Sequence, residues 1–269
     1  MLRCEAPVHR PHSLEDALAL RMELPGATML AGGTDIMVYL EAGQLQPTAI
    51  IDLSGVPALR VLRSVTGGQY YGAGLTCTDV VGSAHAHPLI REAALTVGAV
   101  QIQNRATLGG NICNSSPAGD TLPVWLALNA DFELASIHGR RRVPAARFWR
   151  GYKKTEMRPH ELLVGIIVPP LAGHMHFRKV GTRLAQSIAK VVFAGRYVPA
   201  VDAMLAFGAV GPVPMRCPEA ESALIAGASP AAVAALVEKE ISPIDDVRST
   251  QDYRRKVAGN IVRTWLEGR

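Results

Sequence analysis

Two double glycines constrain this chain more than any other feature. The first stands in the run Leu30-Ala31-Gly32-Gly33-Thr34-Asp35. It falls between a short apolar stretch (28–31) and a segment of helical character (35–42) closed by Gly43. Adjacent glycines let a backbone turn sharply and approach a ligand with no Cβ in the way. The N–H groups of such a turn, beside a helix start, converge on one spot and suit a phosphate. Thr34 adds a hydroxyl donor. For this loop alone, a ligand-free strand-to-helix turn explains the residues equally well. The second run is Thr107-Leu108-Gly109-Gly110-Asn111-Ile112, continuing through Asn114-Ser115-Ser116-Pro117-Ala118-Gly119-Asp120. Residues 103–119 show little periodicity, so the expectation is a long irregular loop, which in a compact domain is usually functional or disordered. The apolar run 122–128 argues against disorder. Asp120 is placed either to cap the helix that follows or to accept hydrogen bonds from sugar hydroxyls or a base amine.

Two phosphate-type loops in one domain suit a diphosphate, and so a dinucleotide. Gly72-Ala73-Gly74 lacks the third glycine of a Rossmann fingerprint, and no Gly-Lys-Ser/Thr of a Walker A loop occurs. The residues themselves therefore describe a dinucleotide binder of non-Rossmann type. The net charge of +5 comes from scattered Lys and Arg, with the densest runs at Arg140-Arg141-Arg142 and Lys153-Lys154. Aromatic residues do not interleave with these runs as a base-stacking surface requires, so nucleic acid is excluded as a partner. Cys4, Cys77, Cys113 and Cys217 are too far apart for a metal clip, an iron–sulfur cluster or a disulfide framework, and a reducing cytoplasm fits them best. Residues 1–5 lead into Pro7 with no apolar leader, and no apolar run approaches a membrane span.

Periodicity predicts an α/β beginning: a helix from Ser13 to Leu24, the first glycine turn with its flanking strand and helix, and a buried strand at 49–53. A hairpin is expected at 59–73 and helices at 79–84, 88–97 and 121–128. Strands are expected at 131–136 and 162–168. Pro169-Pro170-Leu171-Ala172-Gly173 marks the best domain boundary. Beyond it, strands at 176–180, 188–193 and 200–209 precede helices at 218–225, 230–239 and 250–266, an α+β order.

Taken together and in order, the two glycine motifs resemble the flavoprotein subunit or domain of the molybdenum hydroxylases. That family includes xanthine dehydrogenase, carbon monoxide dehydrogenase and related aromatic hydroxylases. Lys179-Val180-Gly181-Thr182-Arg183, Ile188-Ala189-Lys190-Val191, Leu205-Ala206-Phe207-Gly208, Pro212-Val213-Pro214-Met215-Arg216 and Tyr253-Arg254 extend the resemblance over almost the whole chain. It implies an α+β fold: an FAD-binding domain of the vanillyl-alcohol-oxidase (PCMH) type over 1–171, with subdomains at about 1–55 and 56–171, then a C-terminal α+β domain of the CO dehydrogenase flavoprotein type over 172–269.

The resemblance also implies the site. Leu30, Ala31, Gly32, Gly33, Thr34, Asp35 and Ile36 form the first FAD loop. Thr107, Gly109, Gly110, Asn111 and Asn114 belong to the second, and Asp120 binds the adenosine end. Leu163 and Lys179 match family positions that touch the cofactor, although as residues they read equally as a core leucine and a surface charge. His85 and His87 lie outside the motifs, so the FAD is expected to be non-covalent. No catalytic side chain and no metal are expected in this chain. The molybdenum cofactor would sit on a large molybdopterin-binding partner subunit and the 2Fe–2S clusters on a small one. Electrons would leave to NAD+ or another acceptor, and the hydroxylated compound, a purine such as xanthine or another N-heterocycle or aldehyde, would bind elsewhere. Two alternatives remain at this level: a stand-alone FAD oxidoreductase of the same fold, and a non-catalytic phospholigand-binding module.

Overall fold

A computed structural model of the chain describes residues 5–268. Cys4 and the start of the chain, on which the expectation of no leader rests, lie outside the described residues. The first elements are β1 (Val8–His9), α1 (Leu14–Glu23), β2 (Thr28–Leu30), α2 (Ile36–Glu41) and β3 (Ile50–Asp52). They form a small parallel sheet in the order β1-β3-β2, with Val8 and Thr28 both in register with Ile50. Ser13 caps α1 as its sequence position predicts, its side chain accepting from the Asp16 N–H. Leu14 and Ala17 are the buried face of that helix. β1 was not legible, because two residues are too few for any period.

The next elements are β4 (Leu62–Val65), β5 (Gly68–Gly72), α3 (Cys77–Gly82), α4 (Pro88–Leu95), α5 (Val100–Gln103), α6 (Leu108–Asn114), α7 (Leu122–Ala127), β6 (Asp131–Ser136), β7 (Gly139–Pro144), α8 (Ala145–Phe148), β8 (Trp149–Gly151), β9 (Lys154–Thr155) and β10 (Leu162–Val168). Five of the strands make an antiparallel sheet ordered β4-β5-β10-β6-β7. β10 is central, and all seven of its residues are buried, which is why its sequence is an unbroken apolar run. The basic run at 140–142 lies in β7, where two of its members are paired. Arg140 meets Glu133, and Arg141 holds Glu161 through Nε at 2.6 Å and Nη2 at 2.8 Å. A strand whose alternation is carried by ion pairs has no apolar signal to read.

Residues 103–119 differ from the expected irregular loop, because α6 occupies seven of them. Gly109 and Gly110 are poor helix formers, but tertiary bonds hold the turn. Leu108 N–H donates to Leu75 O, Gly109 N–H to Ala73 O, and Gly110 N–H to the Thr107 hydroxyl, which caps the helix. Asp120 does not cap α7. Thr121 stands at that position in helical conformation, with no side-chain cap. The Asp120 carboxylate turns instead toward Lys179.

The last part of the chain comprises β11 (His174–Val180), β12 (Val191–Val198), β13 (Asp202–Gly208), β14 (Met215–Arg216), α9 (Pro218–Ile225), α10 (Pro230–Glu240) and α11 (Gln251–Glu267). Its antiparallel sheet follows chain order. Alternation along β12 and β13 feeds two cores. Val191, Phe193, Leu205 and Phe207 pack with Leu224, Val237 and Val262 of the helices. Val192, Ala194, Met204 and Ala206 join Trp125 and Phe132 in the core of the preceding domain. Arg254 of the Tyr253-Arg254 pair is buried and donates to Lys190 O and Ala209 O, tying α11 to the ends of β12 and β13. Among the described residues, no helix is long and apolar enough to cross a membrane, and no cluster of three or more His, Cys, Asp or Glu could hold a metal.

Candidate functional site: a cleft between the two glycine motifs

A cleft of about 510 Å³ lies between the first glycine turn and α6, within the roughly 300–1,000 Å³ usual for ligand pockets. Its walls include Ala31, Gly32, Gly33, Thr34, Asp35 and Ile36 from one side. Thr107, Gly109, Gly110, Asn111 and Asn114 face them, with Leu163 of β10 also in the wall. Twelve of the fifteen positions implied by resemblance thus meet in one cavity. Leu30 packs beneath the turn, where its Cδ1 would lie 3.3 Å from a Cβ at position 33.

The glycines serve distinct ends. Gly33 has φ +79°, a left-handed conformation that side chains disfavour. At Gly32 the reason is proximity: a Cβ there would stand 2.0 Å from the carbonyl oxygen of Arg105. The first turn therefore lies directly on the backbone leading into α6, and a Cβ on Gly109 would similarly meet Ala73 O at 2.7 Å.

The two motifs also differ in what they offer a ligand. Among the described residues, no protein acceptor meets the N–H groups of Gly32, Gly33, Thr34 and Asp35. The first-turn N–H groups of α6 are already satisfied within the protein, as described above. The second motif supplies wall and side-chain amides. Asn111 Oδ1 accepts from the Thr121 hydroxyl at 2.7 Å, which fixes that amide with its NH2 group left for another partner.

Arg60 and Arg105 line the cleft against a single acid, Asp35. Burial holds the Asp35 carboxyl above the ordinary carboxylate range, opposed by the Lys153 ammonium and the Asn114 amide. Asp120 and Lys179 are not in the wall. They form an ion pair of 2.7 Å, nearly inaccessible to solvent, and Lys179 also donates to Thr96 O at 2.8 Å. Thr96 precedes Val97, which does line the cleft, so the pair stands one layer behind it. Asp120 Oδ1 is buried with no hydrogen-bond partner. Sequence reasoning missed Arg60, Ala73, Gly74, Ile102, Cys113 and Met157. Ala73 and Gly74 carried a signal, small residues after a strand, which a failed Rossmann match concealed.

The family model for the FAD binding domain in molybdopterin dehydrogenase matches residues 3–171, and that for the CO dehydrogenase flavoprotein C-terminal domain matches residues 177–268. The chain belongs to this family. It is 32% identical to the carbon monoxide dehydrogenase medium chain of Afipia carboxidovorans, over 96% of this chain and 94% of that protein. It is 31% identical to a putative xanthine dehydrogenase FAD-binding subunit of Escherichia coli, over 93% and 90%. A solved carbon monoxide dehydrogenase from Hydrogenophaga pseudoflava, lacking the Mo-pyranopterin moiety, superposes with a TM-score of 0.92. There the identity is 29% and coverage is 99% of this chain and 98% of that one. The fold is therefore the PCMH-type FAD-binding domain followed by the C-terminal domain of this family, and the chain is an oxidoreductase subunit of the CO/xanthine dehydrogenase type. The cleft fits an FAD on its own terms: four unengaged N–H donors for a diphosphate, a net positive lining, and apolar wall at Met29, Ile36, Val97, Ile102 and Leu163.

Proposed function

We propose that this chain is the electron-transfer subunit of a molybdenum hydroxylase complex. It takes electrons from 2Fe–2S clusters of a small partner subunit and passes them to NAD+ or another acceptor, while a large molybdopterin-bearing partner hydroxylates a purine, another N-heterocycle or an aldehyde. The observation that carries this reading is the single cleft in which both glycine motifs meet. FAD supplies the chemistry that joins one-electron donors to a two-electron acceptor.

The chain's own residues bind and orient. Gly32, Gly33, Thr34 and Asp35 would direct their N–H groups at the diphosphate, and Arg60 and Arg105 would set a positive field around it. Asn111, held by Thr121, and Asn114 would bind the same group or the sugar beside it. Asp120 Oδ1 is the buried acceptor that a hydroxyl or amine reaching past Val97 would meet, with Lys179 holding the carboxylate in place. We also take 1–171 as the FAD domain and 172–269 as the second domain.

Co-expression of the chain with molybdopterin-bearing and iron–sulfur partners tests the reading. A yellow chain that releases FAD on acid treatment, and reduces an acceptor only when its partners are present, supports it. Substrate oxidation by the chain alone points to a stand-alone oxidoreductase, and a chain that refuses flavin points to a phospholigand module.

Cys113 provides a second readout. It lines the cleft, whereas Cys77 and Cys217 are buried. Burial in surrounding protein pushes the Cys113 thiol up to about 12, so alkylation will be slow. Mass spectrometry of peptides containing Cys113 is expected to show labelling in flavin-free chain and protection at saturating FAD. Equal labelling in both states would place the flavin elsewhere.

A further inference from the structure

The connection from β11 to β12, residues 181–190, presents Leu184 at 99% exposure and Ile188 at 55%. A lone exposed leucine on a surface is ordinary, but this loop is held in one shape. Arg183 folds back on it, Nε donating to Ala185 O at 3.0 Å and Gln186 O at 3.1 Å, and Nη2 to Gln186 O at 2.7 Å. The Ser187 hydroxyl donates to Arg183 O at 2.8 Å. Gln186 adopts φ +50°, left-handed for a residue with a Cβ, and its N–H donates to Gly98 O at 2.9 Å. Hydrogen bonds and a strained backbone are thus committed to a loop that turns its leucine wholly outward.

The Gln186–Gly98 bond sets the loop beside the turn from α4 to α5, where Leu95 and Val100 are also exposed, at 56% and 68%. Four apolar side chains surround one hydrogen bond, a contiguous patch of the kind that marks an interaction site. Val97 and Ile102, from the same turn, line the cleft. The patch is the outer side of the wall whose inner side faces the cleft. Its charge is basic. Arg91 lies one turn before Leu95 on α4, and neither Arg91 nor Arg183 has an ion-pair partner among the described residues. Glu92 is the one acid on that turn. In a two-fold pairing of identical copies the same patch meets itself, which would set these arginines against their own counterparts. The patch therefore suits a partner of opposite charge.

We propose that Leu184 and the apolar patch around it are the docking surface for the chain that delivers electrons to the cleft, a protein with an acidic rim around an apolar recess. This rests on the functional reading above. A pre-shaped loop lowers the ordering cost of association, and a fully presented leucine is the anchor such a recess would take.

The test uses the complex assembled from the full chain and its partners. Leu184→Asp is expected to weaken association on the order of 30-fold, with flavin content per chain unchanged. Leu184→Ala, which introduces no charge, is expected to weaken it by roughly 10-fold. Val247→Asp, at a position 101% exposed in the α10–α11 connection, is expected to assemble like the parent chain. Arg91→Glu is expected to slow association, by a factor that shrinks as salt rises. Unchanged affinity in both Leu184 variants overturns the proposal, and so does loss of self-association alone with partner binding intact. The flavin spectrum of the parent chain, taken before any partner is added, reads the functional assignment separately.

Discussion

Gly32→Val is expected to yield a chain that carries no flavin and melts well below its parent. A Cβ at this position would stand 2.0 Å from Arg105 O and 2.7 Å from its carbonyl carbon, so backbone would meet backbone and no rotamer relieves the clash. Overpacking typically costs about 1–3 kcal/mol where side chains can yield. Here the first turn and the strand end leading to α6 must separate, so the upper end or beyond is expected. The cleft would lose its shape with them. Gly33→Ala is the informative contrast. Its nearest neighbour would be Leu30 Cδ1 at 3.3 Å, a side chain with room to move, and the principal cost is the left-handed φ, roughly 1–2 kcal/mol. The Gly33→Ala chain is therefore expected to fold and to bind FAD more weakly. The flavin-to-protein absorbance ratio and a melting curve decide both outcomes. A Gly32→Val chain with full flavin content would show that the two motifs do not depend on their close approach.

Lys179→Ala is expected to cost about 3–5 kcal/mol of stability, because it leaves the Asp120 carboxylate buried and unpaired. The pair links α4, the segment before α7 and β11, so its loss loosens the C-terminal domain from the cleft wall. The pH dependence carries a signature. Burial pushes the Asp120 carboxyl up to about 6, with Lys179 pulling the other way. The folded chain therefore holds this proton more tightly than the unfolded chain, whose carboxyl titrates near pH 4. Across about pH 4 to 6 the contribution of Asp120 to stability falls as pH rises, and above that it is constant. Asp120→Asn is expected to remove this falling component, and Lys179→Ala to extend it above pH 6. Urea unfolding between pH 4 and 8 measures all three chains. Identical slopes in the parent and Asp120→Asn would contradict the assignment.

What could be read in the sequence was what period and turn chemistry encode locally. Ser13 as a cap, the glycine turn before α2, the unbroken apolar β10 and the three C-terminal helices all follow from patterns spanning a few residues. What could not be read depends on distant partners. The stretch around Gly109 and Gly110 reads as loop because two glycines argue against a helix, and it becomes α6 only because Ala73, Leu75 and Thr107 supply acceptors for its first N–H groups. Asp120 reads as a cap because the following residues are helical, but Lys179, fifty-nine positions away, takes its carboxylate. The same logic applies to the site. The glycine motifs located the cleft, yet Arg60, Ile102 and Met157 reach it through tertiary placement with no local mark. Nor could sequence distinguish the motifs' roles: unengaged N–H groups at residues 32–35, and a satisfied, wall-forming helix at residues 108–114.

The most direct test of the central claim is titration of flavin-free chain with FAD and, separately, with FMN, followed by flavin fluorescence. A cleft built around a diphosphate turn, with a buried acceptor beyond Val97, predicts one FAD per chain, much weaker binding of FMN, which lacks the adenylate half, and no binding by Gly32→Val. Equal affinity for FMN and FAD, or FAD binding that survives Gly32→Val intact, would contradict it.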